Sequence, residues 1–204
     1  MFFLNPIYQL IYTYYAGRLN HFPLIHLVFI SLDKTIFYFL IFVILRIAFL
    51  VWRSQKIVWW HEFYLVLLVI YLLLLLCLTV FRQHYFPWEF HPLWHRSFKE
   101  INWLPLVETW KLTNGKSLID FFYNSCGNVV WFLPLGLLLP VLSSRLHSFV
   151  RVVGIGLCLS VLIESLQFIL NTGVSDIDDV IFNTLGTILG YAIWSIVQRI
   201  SRKV

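Results

Sequence analysis

The stretch that decides the fold runs from Cys126 to Tyr191 and reads CGNVVWFLPLGLLLPVLSSRLHSFVRVVGIGLCLSVLIESLQFILNTGVSDIDDVIFNTLGTILGY. It holds three apolar segments joined by two short turns, of which the first is basic and the second, residues 171–179, is acidic. A bilayer core about 30 Å thick requires roughly 20 apolar residues per helix. Because each segment is close to that length, the stretch predicts three consecutive transmembrane helices.

The composition of the whole chain indicates the same class. Apolar residues make up 60% of the sequence, aromatic residues 19% and charged residues only 12%, which is far more apolar than a soluble domain. Leu24–Val51 and His61–Phe81 are also long enough to cross, which brings the prediction to about five spans. Residues 1–22 are rich in Phe and Tyr and predict an interfacial helix, because aromatic rings favour the bilayer surface. The predicted fold is therefore an all-α, polytopic transmembrane helix bundle.

These segments divide the chain into three predicted parts. Residues 1–81 form an N-terminal extension with the interfacial helix and two spans, residues 82–123 form an extracytoplasmic loop, and residues 124–204 form a three-helix core. In the first span Asp33 and Lys34 interrupt the apolar run, so either they pair near the surface or the span begins after them.

The predicted loop is too rich in tryptophan to be a free linker, so we expect it to fold against the membrane surface or to cap the bundle. Two of its histidines, His91 and His95, have the i, i+4 spacing of a helical metal-ligand pair. Pro92 lies between them and no acidic partner follows, so surface roles are favoured.

Charge predicts the orientation of the bundle, since basic residues mark cytoplasmic turns. The acidic turn 171–179 has no Lys or Arg, which predicts an extracytoplasmic position for it and a cytoplasmic C-terminus in a multi-pass cell-membrane protein. The net charge of +5 forms no basic stripe, so nucleic acid is not a predicted partner. The residues that mark the cytoplasmic side are Arg46, Arg53, Lys56, Arg145, Arg151, Arg199, Arg202 and Lys203.

Strongly polar side chains interrupt the three core segments. Such residues cost a few kcal/mol or more inside a bilayer and are functional candidates by default. A rise of 1.5 Å per residue places those within the spans between about 5 and 9 Å below the outer helix ends. We therefore expect a shared polar level on three neighbouring helices, formed by Asn128, Glu164, Gln167, Asp176, Asp179 and Asn183.

Helical spacing also predicts which residues share a face. Gly156, Ser160, Glu164 and Gln167 lie on one side of the second core helix, and Asp176, Asp179, Asn183, Gly186 and Gly190 lie on one side of the third. If these faces meet, Glu164 is level with Asn183, and the small residues of the two helices pack closely. The inner half of this interface is then packing, and the outer half is a polar pocket.

Structural roles remain open for several of these residues. Ser175 resembles a helix cap, and Asp178 suits the positive end of a helix dipole. Asp176 fits a cap or a site equally well. Glu164 and Asp179 favour function, because no Lys or Arg lies within the three apolar segments to neutralise Glu164. Residues that fit either interhelical hydrogen bonds or a pocket are Asn128, Gln167 and Asn183.

Four motifs in order give residues 98–195 a specific resemblance. They are INWLPL from Ile101, GNVVWFLPLGLLLP from Gly127, IESLQF from Ile163 and TGVSDIDDVIFNTLGTILGY from Thr172. This pattern resembles the VanZ family of membrane proteins, whose founding member is associated with teicoplanin resistance in Gram-positive bacteria. The resemblance carries over onto Asn102, Pro105, Asn128, Pro134, Gly136, Glu164, Gln167, Asp176, Asp179, Asn183, Gly186 and Gly190.

The resemblance implies a resistance factor that acts against glycopeptides such as teicoplanin through an outward-facing polar pocket. Its implied partners are membrane lipid and either a glycopeptide or a lipid-linked envelope precursor. Asn102, Asn128, Gln167 and Asn183 are the candidate binding residues.

The alternative is an intramembrane enzyme or binding protein for a lipid-linked envelope substrate, and whether catalysis occurs stays open. Glu164, Asp176 and Asp179 then supply acid and base, or hold a divalent cation such as Mg, Ca or Mn. Transport or a structural scaffold ranks third, and no inverted repeat that would indicate transport is visible.

Overall fold

A computed structural model describes residues 1–15, 22–54, 56–82, 84–106 and 118–201, and for residues 118–125 the backbone alone. Within these ranges the regular structure is helical, apart from an isolated bridge between Asn102 and Asp176. The all-α prediction is confirmed. The α-helices are α1 (Asn5–Tyr15), α2 (Phe22–Arg53), α3 (Trp59–Thr79), α4 (Leu118–Leu142), α5 (Phe149–Leu170) and α6 (Ile177–Ser201), with short 3₁₀ helices at Pro87–Glu89, Phe98–Glu100 and Ser144–His147.

Four of these helices, α2, α3, α5 and α6, are long and apolar enough to cross a membrane. In α4 the apolar part is Cys126–Leu142, and the helix itself begins at Leu118 instead of near residue 124. The chain is therefore a multi-pass membrane protein. Helix α1 lies where an interfacial helix is predicted and has no buried residue, while its position at the bilayer surface stays a prediction.

The chain divides into two compact units, Met1–Phe90 and His91–Val204. In the first unit α2 and α3 run antiparallel, as Ser31 Oγ donates to the Cys77 carbonyl at 3.2 Å and Arg46 Nε donates to Glu62 at 2.9 Å. These two hydrogen bonds lie toward opposite ends of the α2–α3 interface.

Of the two alternatives for Asp33 and Lys34, pairing with each other is not what the structure shows. Asp33 accepts hydrogen bonds from the backbone N–H groups of residues 2–4, each at 2.7 Å. Lys34 donates to the carbonyls of Phe81 and His84, each at 2.6 Å. Consecutive residues on a helix do not face each other, so each of these side chains meets a different segment of the chain.

The second unit contains α4, α5 and α6. Gly186 and Gly190 of α6 pack against the backbone of α4, where an added Cβ would collide with the carbonyl oxygens of Val129 and Leu133. Gly136 of α4 packs reciprocally against the backbone of α6. The expectation that Gly186 and Gly190 oppose the small residues of α5 is therefore wrong.

Helix α5 instead meets Asn183 and Thr187 of α6. A Cβ at Gly156 would fall within 2.8 Å of the Thr187 Cβ, and Asn183 Nδ2 donates to Ser160 Oγ at 2.9 Å. Asn183 is thus paired with Ser160, one turn away from Glu164, which was predicted to lie at its level. Periodicity assigns residues to a face but does not say which neighbouring helix takes that face, and α4 takes the glycine face because it carries Gly136.

Candidate functional site

A cavity of about 410 Å³ lies within the second unit. Its walls come from α5, from the beginning of α6 and from the segment between Leu93 and Trp103. Apolar and aromatic side chains dominate the lining, which also includes three charged residues. We call it the α5–α6 cavity, and its lining includes Trp94, Arg96, Phe98, Trp103, Val161, Glu164, Ser165, Phe168, Asp176 and Val180.

Glu164 joins α5 to the beginning of α6. Its side chain is buried, and Oε2 accepts a hydrogen bond from the backbone N–H of Asp176 at 3.0 Å. The backbone carbonyl of Glu164 accepts a second bond from Ser175 Oγ at 2.7 Å. A buried carboxyl group needs such donors, because burial without them is costly. The turn between α5 and α6 thus folds back onto Glu164.

Asp176 caps α6 and also holds the loop that precedes α4. Its Oδ1 accepts from the Asp178 N–H at 2.8 Å, and its Oδ2 accepts from Asn102 Nδ2 at 2.9 Å. Two backbone bonds beside it, Asn102 to Ser175 at 3.0 Å and Ile177 to Asn102 at 3.1 Å, complete the bridge. The expected cap at Ser175 is wrong, because the Ser175 hydroxyl donates to Glu164 and leaves the cap position to Asp176.

Asp178 is 2% exposed and fixes the same loop at a second point. It accepts a hydrogen bond from the backbone N–H of Leu106 at 2.6 Å. Leu106 has a φ of 62°, in the left-handed region that a residue with a side chain seldom adopts. The acid therefore does more than complement the helix dipole, since it stabilises a strained loop residue.

The remaining predicted residues of the three helices are not part of the cavity lining. Asn128 Nδ2 donates to Asp179 Oδ1 at 2.6 Å, which ties α4 to the first turn of α6. Asn183 bonds to Ser160 of α5, and Gln167 is buried beside Gly173 in the turn after α5. For Asn128 and Asn183 these contacts favour the interhelical hydrogen-bond interpretation.

The three candidate metal ligands do not form one cluster. In the ranges that the structure describes, no three His, Cys, Asp or Glu side chains are grouped so as to hold a metal ion. Glu164, Asp176 and Asp179 each accept hydrogen bonds from protein N–H groups instead. His91 and His95 are both exposed.

Arg96 is the main cavity residue that the sequence did not single out. Its Nη1 donates to the Phe168 carbonyl at 2.6 Å, and its Nε and Nη2 donate to Glu100 at 3.0 and 2.6 Å. The guanidinium carbon lies 4.7 Å from the centroid of the Phe168 ring, and Phe98 stacks on the same ring at 5.8 Å. The signal in the sequence was the wealth of tryptophan in this loop. Its described residues 91–106 form hydrogen bonds with α5 and with the beginning of α6, while folding against the membrane surface or capping of the bundle stays a prediction.

The lining favours binding of an amphipathic molecule. Both serine hydroxyls in the lining donate to backbone carbonyls, Ser165 to Val161 and Ser175 to Glu164, each at 2.7 Å. Histidine is not among the described lining residues, so no hydroxyl–imidazole pair is available there. Apolar walls with a few polar groups are typical of ligand sites.

The sequence also resembles known proteins. The VanZ/LLP1 family model matches residues 63–198. Protein VanZ of Enterococcus faecium is 32% identical over 130 residues, which covers 64% of this chain and 72% of that protein. No solved structure matches. The family match begins upstream of the four motifs and takes in α3.

Proposed function

Because the chain belongs to the VanZ/LLP1 family, we propose that this membrane protein lowers the susceptibility of its host to teicoplanin-type glycopeptide antibiotics. The proposed site of action is the α5–α6 cavity. Its proposed ligand is a lipid-linked precursor of the cell envelope, whose apolar chain occupies the aromatic walls.

The observation that carries this proposal is the mixed lining of the cavity, in which apolar side chains predominate and three charged side chains take part. Phe98, Trp103 and Val161 supply surface for an acyl chain, while Arg96, Glu164 and Asp176 supply charge. A lipid-linked precursor likewise combines an apolar chain with a charged headgroup. Arg96 is suited to an anionic headgroup, because a guanidinium group recognises phosphate oxygens.

Resistance can be tested by filling the cavity without removing any of its hydrogen bonds. Val161→Trp places a large side chain in the cavity, whereas Leu162→Trp adds the same side chain to a neighbouring exposed position that is not part of the lining. In a susceptible Gram-positive host we expect the wild type and Leu162→Trp to raise the inhibitory concentration of teicoplanin. Val161→Trp should return it to the value of the empty vector. Equal resistance from both variants, or none from the wild type, would contradict the proposal.

We further propose that the turn 171–179 is extracytoplasmic and the C-terminus cytoplasmic. Val174 is 74% exposed and is a better labelling position than its buried neighbour Thr172. With the exposed Cys126 and Cys158 replaced by Ser, we expect a membrane-impermeant maleimide to label Val174→Cys in intact cells. The control Ser144→Cys, in the turn between α4 and α5, should react only after permeabilisation. The opposite pattern would reverse the orientation.

The second candidate function is an enzyme that acts on the same lipid-linked substrate. It is favoured by the position of Glu164, a buried acid in the cavity lining. Glu164→Gln keeps the size and an acceptor oxygen but removes the acid. A folded Glu164→Gln protein with full resistance supports binding alone, and a folded protein that still binds the lipid-linked precursor but confers no resistance supports catalysis.

A further inference from the structure

A second cavity, of about 150 Å³, lies within the first unit, and a buried lysine side chain is part of its lining. It is lined by Lys34 and Tyr38 of α2, by Leu76 and Cys77 of α3, and by Tyr85 and Phe90 beyond α3. Lys34 is 0% exposed. No residue that lines this cavity also lines the α5–α6 cavity, so the two are separate sites.

Among the described residues, the hydrogen-bond partners of the Lys34 ammonium group are neutral. Its two bonds go to the carbonyls of Phe81 and His84, and an ammonium group has three donors. In the part of the chain that the structure describes, the ion pairs are Arg46–Glu62, His61–Glu62 and Arg96–Glu100, and none includes Lys34. A buried charge is costly unless an opposite charge accompanies it.

The nearby acids are engaged by other groups. The Asp33 carboxylate accepts three backbone N–H groups and the hydroxyl of Tyr85, which lies at 2.9 Å. Glu89 accepts from the backbone N–H groups of Tyr85 and Phe86 at 2.8 and 3.0 Å, and these bonds, with a smaller contribution from the charge of Lys34, hold its pKa below the usual value. The hydroxyl of Tyr38 donates to the Tyr85 carbonyl at 3.0 Å. Among the lining residues that the structure describes, Lys34 is therefore the one cationic group, and the others are apolar or aromatic.

We propose that this cavity binds the carboxylate end of a long-chain fatty acid, with Lys34 as its counter-ion. A cavity of about 150 Å³ is large enough for a group the size of benzene, which suits a carboxylate and its first few carbons. Lys34 contacts residues that lie just after the end of α3 at Thr79, so the site is at the end of a span, where the carboxylate of a membrane-bound fatty acid resides. A phosphodiester headgroup is bulkier and fits this volume less well.

Displacement of a fluorescent fatty acid, dansyl-undecanoic acid, from the full-length protein in detergent tests the proposal. We expect palmitate to compete at least about tenfold better than hexadecanol, a difference of about 1.4 kcal/mol. Lysophosphatidic acid, which offers a phosphate on a similar chain, should compete less well than palmitate. Equal competition by palmitate and hexadecanol, or stronger competition by the phosphate lipid, would overturn the assignment.

Two variants test separately the charge of Lys34 and the space within the cavity. Lys34→Met should remove the preference for palmitate over hexadecanol, and Leu76→Trp should abolish binding of both while leaving Lys34 in place. The matched control is Leu74→Trp, because Leu74 is on the same helix but is not part of the lining. If Lys34→Met does not fold, Leu76→Trp still decides, since unchanged palmitate binding in that variant would refute the site.

Discussion

Gly190→Ala is expected to separate α4 from α6 and to lower the free energy of unfolding by more than about 3 kcal/mol, at or beyond the upper end for overpacking. A Cβ at this position would collide with the Leu133 carbonyl oxygen and would come within 3.0 Å of the Gly136 Cα. Both obstacles are backbone atoms, so no side-chain rotation can relieve the collision. The measurement is unfolding in mixed micelles, with the monodisperse fraction after size exclusion as a second readout.

Gly154→Ala is the matched control for this prediction. It makes the same chemical change inside a helix, but nothing lies within 4 Å of the added methyl group. Alanine is favoured over glycine in a helix interior by roughly 0.5–1 kcal/mol, so this variant should be as stable as the wild type or slightly more stable. Equal stability of Gly190→Ala and Gly154→Ala would show that α4 and α6 are not in backbone contact.

The helices of the second unit follow from the sequence because their cause is local. Apolar length predicts α5 and α6, and the acidic residues before Val180 predict where α6 begins. Which helix packs against each face is not determined by local sequence. Gly186 and Gly190 pack on α4 because Gly136 permits close approach there, and helical periodicity contains no information about that choice.

The candidate site is likewise only partly predictable from local sequence. The proximity of Glu164 and Asp176 follows from their positions on either side of a short turn. Arg96 lies 72 residues from Phe168, with which it forms a hydrogen bond. A contact at that separation depends on how the loop returns to the helices, and in the sequence Arg96 was only one of several charges in that loop.

Asp176→Ala is expected to release residues 98–106 from the beginning of α6 and to abolish resistance. It removes an N-cap, worth about 0.5–2 kcal/mol, and a hydrogen bond to a charged group, worth about 1.5–3 kcal/mol. We expect a loss of about 2–5 kcal/mol in the free energy of unfolding. Hydrogen exchange should show faster exchange at the N–H groups of Asn102 and Ile177, which form the backbone bridge beside Asp176.

Asn102→Ala separates the two roles of Asp176. It removes the bond from Asn102 Nδ2 to Asp176 Oδ2 but leaves the cap formed by Oδ1 intact, so it should cost less than Asp176→Ala. Because the two residues share one hydrogen bond, the double variant should lose at most about 0.5 kcal/mol more stability than Asp176→Ala alone. Fully additive losses would mean that Asp176 acts through its cap alone. The wall of the cavity would then depend on the Leu106–Asp178 bond and not on the Asn102 side chain.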